Sequence, residues 1–100
     1  MNQVRVTLPY HLGTLAGAGE EVTLTVNAPV TQAAILDALE TCFPVLRGTL
    51  RDHVTLKRRA RVRFFANEED VTHDPPDQPL PGVIASGEKP FMIVGALSGG

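Results

Sequence analysis

Val4, Val6 and Leu8 alternate with Arg5 and Thr7 until Pro9 interrupts them. Alternation with a period of two marks a strand with one face buried, so a first strand is predicted over residues 3–8. The pattern returns at Val22, Leu24 and Val26, with Thr23 and Thr25 between them. A small-residue loop through Gly13, Gly17 and Gly19 is expected to join the two strands as a hairpin. Asn27-Ala28-Pro29 then breaks the chain, and the period changes: Ile35, Leu36, Leu39 and Phe43 recur at helical spacing. Thr31 offers a side-chain oxygen to cap this helix. Asp37 and Glu40 are expected on its wetter side. Pro44 lacks an amide hydrogen and should stop the helix at Cys42 or Phe43. Residues 45–50 are too few for an independent helix and are expected to form a helical turn packed on the core.

Val62, Phe64 and Ala66 alternate with Arg61, Arg63 and Phe65, which predicts a third strand ending at the turn formers Asn67-Glu68-Glu69-Asp70. Phe64 and Phe65 must point to opposite faces, so one fills the core and the other is left for a docking surface or a covering loop. Val71 is expected to start a short fourth strand. Prolines at 75, 76, 79 and 81 deny donors to a sheet, so residues 72–82 are expected as an irregular surface excursion. Regularity resumes at Phe91-Met92-Ile93-Val94, and Gly95 is expected to release the chain into a flexible tail. This order predicts an α+β domain over residues 1–95, with one main helix laid across a mixed sheet as in a β-grasp, and a tail over residues 96–100.

Composition narrows the function. One hundred residues suffice for one hydrophobic core, and 43% apolar with 20% charged residues is ordinary for a globular domain. A formal charge of −2 lacks the basic excess of a nucleic-acid binder, so nucleic acid is not expected as a partner. Cys42 is the single cysteine, which rules out an intramolecular disulfide and a cysteine-rich metal site. The sequence shows neither a secretory leader nor a run of apolar residues long enough to cross a bilayer, so no membrane partner is expected and the cytoplasm is the expected location.

Few side chains suggest chemistry of their own. Cys42 adjoins Phe43 and is expected to be a packed thiol, because free cysteine is often buried. His11, His53 and His73 lie on separate segments without ligand spacing. Asp70, His73, Asp74 and Asp77 cluster in sequence but are expected to be a solvated turn. Glu68, Glu69 and Asp70 read as hydrated turn residues rather than a catalytic pair. The run Lys57-Arg58-Arg59-Ala60-Arg61 fits an exposed turn or a surface that steers an acidic partner. The chain ends Ala96-Leu97-Ser98-Gly99-Gly100. At an average glycine usage of about 7%, two terminal glycines arise by chance in roughly one chain in 200.

The order of elements, the Phe43-Pro44-Val45-Leu46-Arg47 step, the stretch from Arg61-Val62-Arg63-Phe64 to Asn67-Glu68-Glu69-Asp70-Val71, and the terminal Gly99-Gly100 together resemble the MoaD/ThiS family. These are ubiquitin-like β-grasp sulfur carriers that serve molybdenum-cofactor and thiamine synthesis. The resemblance spans nearly the whole chain and is firmest over residues 4–8, 34–47, 61–71 and 86–100. It departs from the family at Asn67-Glu68, where Asn-Gly is common and a different turn is therefore expected. It departs again in the length of the proline-rich stretch and at Ser98.

What the resemblance implies is a carrier resembling the small subunit of molybdopterin synthase, a sulfurtransferase component with no side-chain active site of its own. Its working group is the carboxylate of Gly100, with Gly99 beside it. Ala96, Leu97, Ser98 and Phe65 are expected to touch partners. Those partners are an ATP-dependent adenylating enzyme of the E1 type, a sulfur donor protein and a larger synthase subunit. No cofactor is expected on the carrier, and ATP is used by the activating enzyme. A terminal carboxyl group, with an ordinary pKa of about 3.3 to 3.7, is an unreactive anion at neutral pH and must be activated. Joined to AMP it becomes attackable, and a sulfur donor then leaves a thiocarboxylate. Two other readings remain open: a ubiquitin-like modifier joined through Gly100 to lysines, and a β-grasp interaction module with an incidental tail.

Overall fold

The computed structural model describes residues 2–95. Strand β1 (Asn2–Thr7) pairs antiparallel with β2 (Glu21–Val26), with Val4 opposite Leu24 and Val6 opposite Val22. Because side chains alternate across a strand, this register puts all four on the core side. Helix α2 (Gln32–Cys42) follows, then a single 3-10 turn over Pro44–Leu46, strand β3 (Val62–Ala66) and the two-residue β4 (Glu69–Asp70). The last strand, β5 (Phe91–Gly95), enters between β1 and β3. It lies parallel to β1 and antiparallel to β3, giving a mixed sheet of order β2-β1-β5-β3-β4. A hairpin, a helix across the sheet and a central final strand make this a β-grasp.

The α2 helix follows from its cap and its stripe. Thr31 is extended and its Oγ1 accepts the amide of Ala34 at 3.0 Å, while Ile35, Leu36 and Leu39 are buried against the sheet. The amide of Ala33, one of the donors a helix start leaves unpaired, finds the carbonyl of Pro76 at 3.0 Å. Phe43 makes the last helical bond, to Leu39, before Pro44 opens the 3-10 turn. Leu46 and Leu50 after it are fully buried, as the sequence predicts. Phe64 of β3 and Phe91 of β5 stack with ring centroids 5.5 Å apart at the middle of the core.

Several expectations are corrected. Residues after Pro9 form a short helix, α1 (Tyr10–Ala16), rather than a loop. Its hydrophobic signal is one buried side chain, Leu12, and its tight packing comes from Gly13, whose missing Cβ would stand 2.1 Å from the carbonyl oxygen of Gly19. Gly17 closes it in a left-handed conformation. Glu40 is buried rather than on the wet side, for a reason given below. Cys42 is exposed rather than packed, because Leu39 and the half-buried Phe43 take the inward positions at this end of α2.

The fourth strand is Glu69–Asp70 and not Val71, which turns inward to bury its side chain. The turn before it has Asn67 at φ 51° and Glu68 at φ 67°, with Ala66 opposite Glu69. Two positive φ angles in a two-residue hairpin loop are the type I′ geometry that Asn-Gly usually serves, so the turn type is kept although the glycine is not. The proline-rich stretch is irregular but not loose: Leu80 donates to Val30 at 2.9 Å, and a helical turn, α3 (Gly82–Ala85), buries Ile84.

Candidate functional site at the end of the central strand

Strand β5 is apolar at every position from Phe91 to Val94. Phe91 and Ile93 go into the core; Met92 and Val94 are left 42% and 43% exposed on the open face of the sheet. Register places half-buried Phe65 opposite Met92, with Thr7 on the other side of Met92, so the three side chains form one row across the sheet. Val94 lies two residues nearer the end of the strand, opposite Arg63. The result is an apolar strip, Phe65, Met92 and Val94, leading to Gly95.

Ion pairs border this strip. Arg63 Nη1 lies 3.5 Å from Asp70 Oδ2. Across the sheet, Arg5 grips Glu21 with both Nε and Nη2, at 3.2 and 3.1 Å, and its Nη1 donates to the carbonyls of Gly87 and Glu88. The Glu21 hydrogen bond, then its charge, holds the Arg5 pKa above its ordinary value. Asp70 is held below the usual carboxylate range, first by the Thr72 hydroxyl and then by the Thr72 amide, whose nitrogen is 2.9 Å from Oδ1. Gly95 itself pairs with Val62 and abuts Pro9 and His11, with a Cβ on it falling 3.4 Å from Pro9 Cγ and 3.6 Å from His11 Cε1.

Of the predicted site residues, Phe65 is on the open face as the alternation with Phe64 requires. Ala96, Leu97, Ser98, Gly99 and Gly100 lie outside the described residues. Met92 and Val94 were missed, although a strand apolar on both of its faces carried the signal. Also missed was an internal charge cluster. Arg51 is only 5% exposed, and its Nε and Nη2 donate to Glu40 Oε2 and Oε1 at 3.0 and 3.1 Å, while Nη2 also reaches Asp37 Oδ1 at 2.6 Å. Burial alone would lower the Arg51 pKa, but the hydrogen bonds and charges of Glu40 and Asp37 outweigh it and raise it. This pairing is why Glu40 can face inward.

Among the described residues no group of three or more His, Cys, Asp or Glu side chains is placed to hold a metal ion. Cys42 opens onto a groove of about 390 Å³ with Ala34, Asp37, Ala38 and Thr41 in its walls and no histidine among its lining residues. Among the described residues no helix is long and apolar enough to cross a membrane.

No family model matches the chain, and no curated protein matches it. Solved structures do. SAMP1 from Haloferax volcanii superposes with a TM-score of 0.74 at 20% identity, over 96% of this chain and 97% of that one. A chain of the BexX/CysO complex of Amycolatopsis orientalis gives 0.66 at 22% identity, over 97% and 99%. CysO of Mycobacterium tuberculosis gives 0.65 at 21% identity, over 94% and 99%. The described residues therefore have the β-grasp fold of these proteins.

Proposed function

We propose that this protein is a cytoplasmic sulfur carrier whose reactive group is the carboxylate of Gly100. What carries the reading is the place of Gly95: it ends the central strand, beside an exposed apolar strip, five residues before Gly100. Residues 96–100 reach at most about 17 Å when extended. That is enough to bring a carboxylate from the end of the sheet into another protein's active site while Phe65, Met92 and Val94 hold the folded body against it. Ordering such a segment costs about 1–2 kcal/mol per residue, which burial of the strip offsets. Glycine at the last two positions allows close approach of backbone to nucleotide and enzyme walls.

The chemistry follows from the group. An adenylating enzyme joins the carboxylate oxygen to the α-phosphorus of ATP and releases pyrophosphate. A donor protein supplying sulfur at the oxidation level of sulfide attacks the carbonyl, AMP leaves with the bonding electrons, and a thiocarboxylate remains. The folded body supplies no catalytic side chain; it delivers and orients the acyl group. Sulfur then passes to an acceptor on a larger synthase subunit, and the family resemblance favours the molybdopterin precursor as that acceptor. The name of one structural neighbour, a BexX/CysO complex, supports a body of this fold docking on a second protein.

Intact-protein mass spectrometry of the chain purified from its native cell tests the reading. The expected species ends at Gly100 and carries sulfur in place of one oxygen; incubation with molybdopterin precursor and the synthase subunit removes that sulfur. A chain extended by one residue beyond Gly100 should never acquire it. Full biological activity of the extended chain would refute the proposal, and isopeptide-linked products in place of the sulfur-bearing form would make the protein a modifier.

A further inference from the structure

The charges of this acidic chain are segregated. Residues 41–66 hold seven of the nine Lys and Arg residues but one of the eleven Asp and Glu residues. Among the described residues, only Arg51 of the seven is held in a buried ion pair, by Glu40 and Asp37. The single acid, Asp52, directs Oδ1 at the amides of Val54 and Thr55, at 2.8 Å each, and feels the charge of Arg59 without forming an ion pair among the described residues. Among the described residues, Arg47, Lys57, Arg58, Arg59 and Arg61 make no ion pair, and Arg63 makes one at 3.5 Å with both partners well exposed. An exposed pair of that length neutralises little.

Hydrogen bonds tie the segments that carry these cations to the start of β3. Val62 is the residue opposite Gly95, so Arg61 stands one position beyond the last rung between β3 and β5, next to where the chain leaves the sheet. Arg58 Nη1 donates to the carbonyls of Arg59, Ala60 and Val62, which fixes the path of the loop into β3. Arg59 Nε donates to Gly48 at 2.9 Å and ties in the segment that carries Arg47. Two arginines thus spend their donors on backbone to hold the loop, while Arg47, Lys57 and Arg61 remain exposed.

We propose that this cationic collar, formed by Arg59, Arg61 and Arg63 beside Gly95 together with Arg47 and Lys57 on the segments that the Arg59 and Arg58 hydrogen bonds tie to it, docks an acidic protein surface that surrounds the channel receiving residues 96–100. The inference rests on the carrier reading and adds to it which partner chemistry is recognised. Position argues for it: the collar adjoins the root of the segment to be delivered and continues from the apolar strip through Arg63, the cross-strand partner of Val94. Charge balance argues for a protein rather than a nucleic acid. The other ten acids outnumber the other two cations five to one, so a polyanion running past the collar meets repulsion, while a compact acidic patch does not. Steering of this kind acts on the rate of encounter and is screened by salt.

The test replaces the native gene by the double variant Lys57→Glu/Arg61→Glu, whose side chains make no hydrogen bond within the described residues, and by Arg61→Lys as the conservative control. Thermal unfolding should be unchanged in both. The fraction of chain bearing sulfur early after induction should fall about tenfold in the reversed variant and stay near wild type in Arg61→Lys. Equal loading of wild type and reversed variant would overturn the collar while leaving the carrier intact. Absence of sulfur from the wild type itself would sink the carrier reading instead. The collar is then decided by two probes in low salt, poly-L-glutamate and a single-stranded oligodeoxynucleotide of equal charge. Salt-sensitive binding of the peptide that the double variant loses supports the collar, and tighter binding of the oligonucleotide or none of the peptide overturns it.

Discussion

Replacing Arg51 by methionine removes the cation from a site where the Glu40 side chain is 11% exposed and Asp37 is 67% exposed. Asp37 rehydrates and loses little. Glu40 is left as a carboxylate with its neighbours built for a guanidinium, and breaking a buried pair from one side costs about 3–5 kcal/mol. A small domain has about 5–15 kcal/mol in total, so Arg51→Met should take away a large share of the stability. Arg51→Met combined with Glu40→Leu removes both charges and fills similar volume, so it should recover to within about 1 kcal/mol of wild type. Glu40→Gln should be milder than Arg51→Met, at about 1–2 kcal/mol, because an amide oxygen still accepts from Arg51 and Asp37 keeps its own contact. Urea unfolding at 25 °C, with the slope checked for constancy, measures all four chains. If Arg51→Met lies within 1 kcal/mol of wild type, on the scale of an exposed pair, or if the double variant is as unstable as the single, the cluster is not a buried pair and the account of Glu40 is wrong.

Other outcomes follow from local geometry. Glu68 holds a left-handed φ of 67° in the β3–β4 turn, and its contact with Lys89 at 3.4 Å is exposed, so Glu68→Gly should stabilise the fold by about 0.5–1 kcal/mol by thermal unfolding. Gly13→Ala puts a methyl 2.1 Å from the Gly19 carbonyl oxygen and should cost at least about 2 kcal/mol. Gly17→Ala meets no atom within 4 Å and should cost only the left-handed strain, about 1 kcal/mol, with the ordering of the two as the check. Asp52 and Asp70 have depressed pKa values, the first from the amides of Thr55 and Val54, the second from the Thr72 hydroxyl and amide. A depressed acid stabilises above its unfolded pKa and loses that contribution as pH falls through the folded value. Stability should therefore decline below about pH 4, and Asp52→Asn or Asp70→Asn should flatten that decline in acid titrations followed by circular dichroism.

The elements that announced themselves were those with long or strongly periodic apolar patterns. Strands β1, β2 and β3 and helix α2 each repeat their buried residues often enough to set a face, and Thr31 and Pro44 mark the ends of α2 in the sequence itself. Helix α1 escaped because a seven-residue segment with one buried leucine has no period to read, and its packing depends on Gly13 lying against a backbone six residues away. Glu40 was misplaced for a related reason: its partner is eleven residues along, and helical spacing speaks only of polarity, not of a cation supplied by another segment. The turn type at Asn67-Glu68 was set by the pairing of Ala66 with Glu69, which outweighed the local preference of glutamate.

By itself the sequence determined where β1, β2, β3, β5 and α2 lie and that the two faces of β3 differ, because these depend on period and on single residue types. Only the tertiary structure decided that β5 is central, that Met92, Val94 and Phe65 share one exposed face, that Arg51 is buried on Glu40, and that the basic loop borders Gly95. These are matters of which distant segments meet. Strand order and long-range charge pairing are chosen by the free energy of the whole assembled core, and no local pattern encodes that choice.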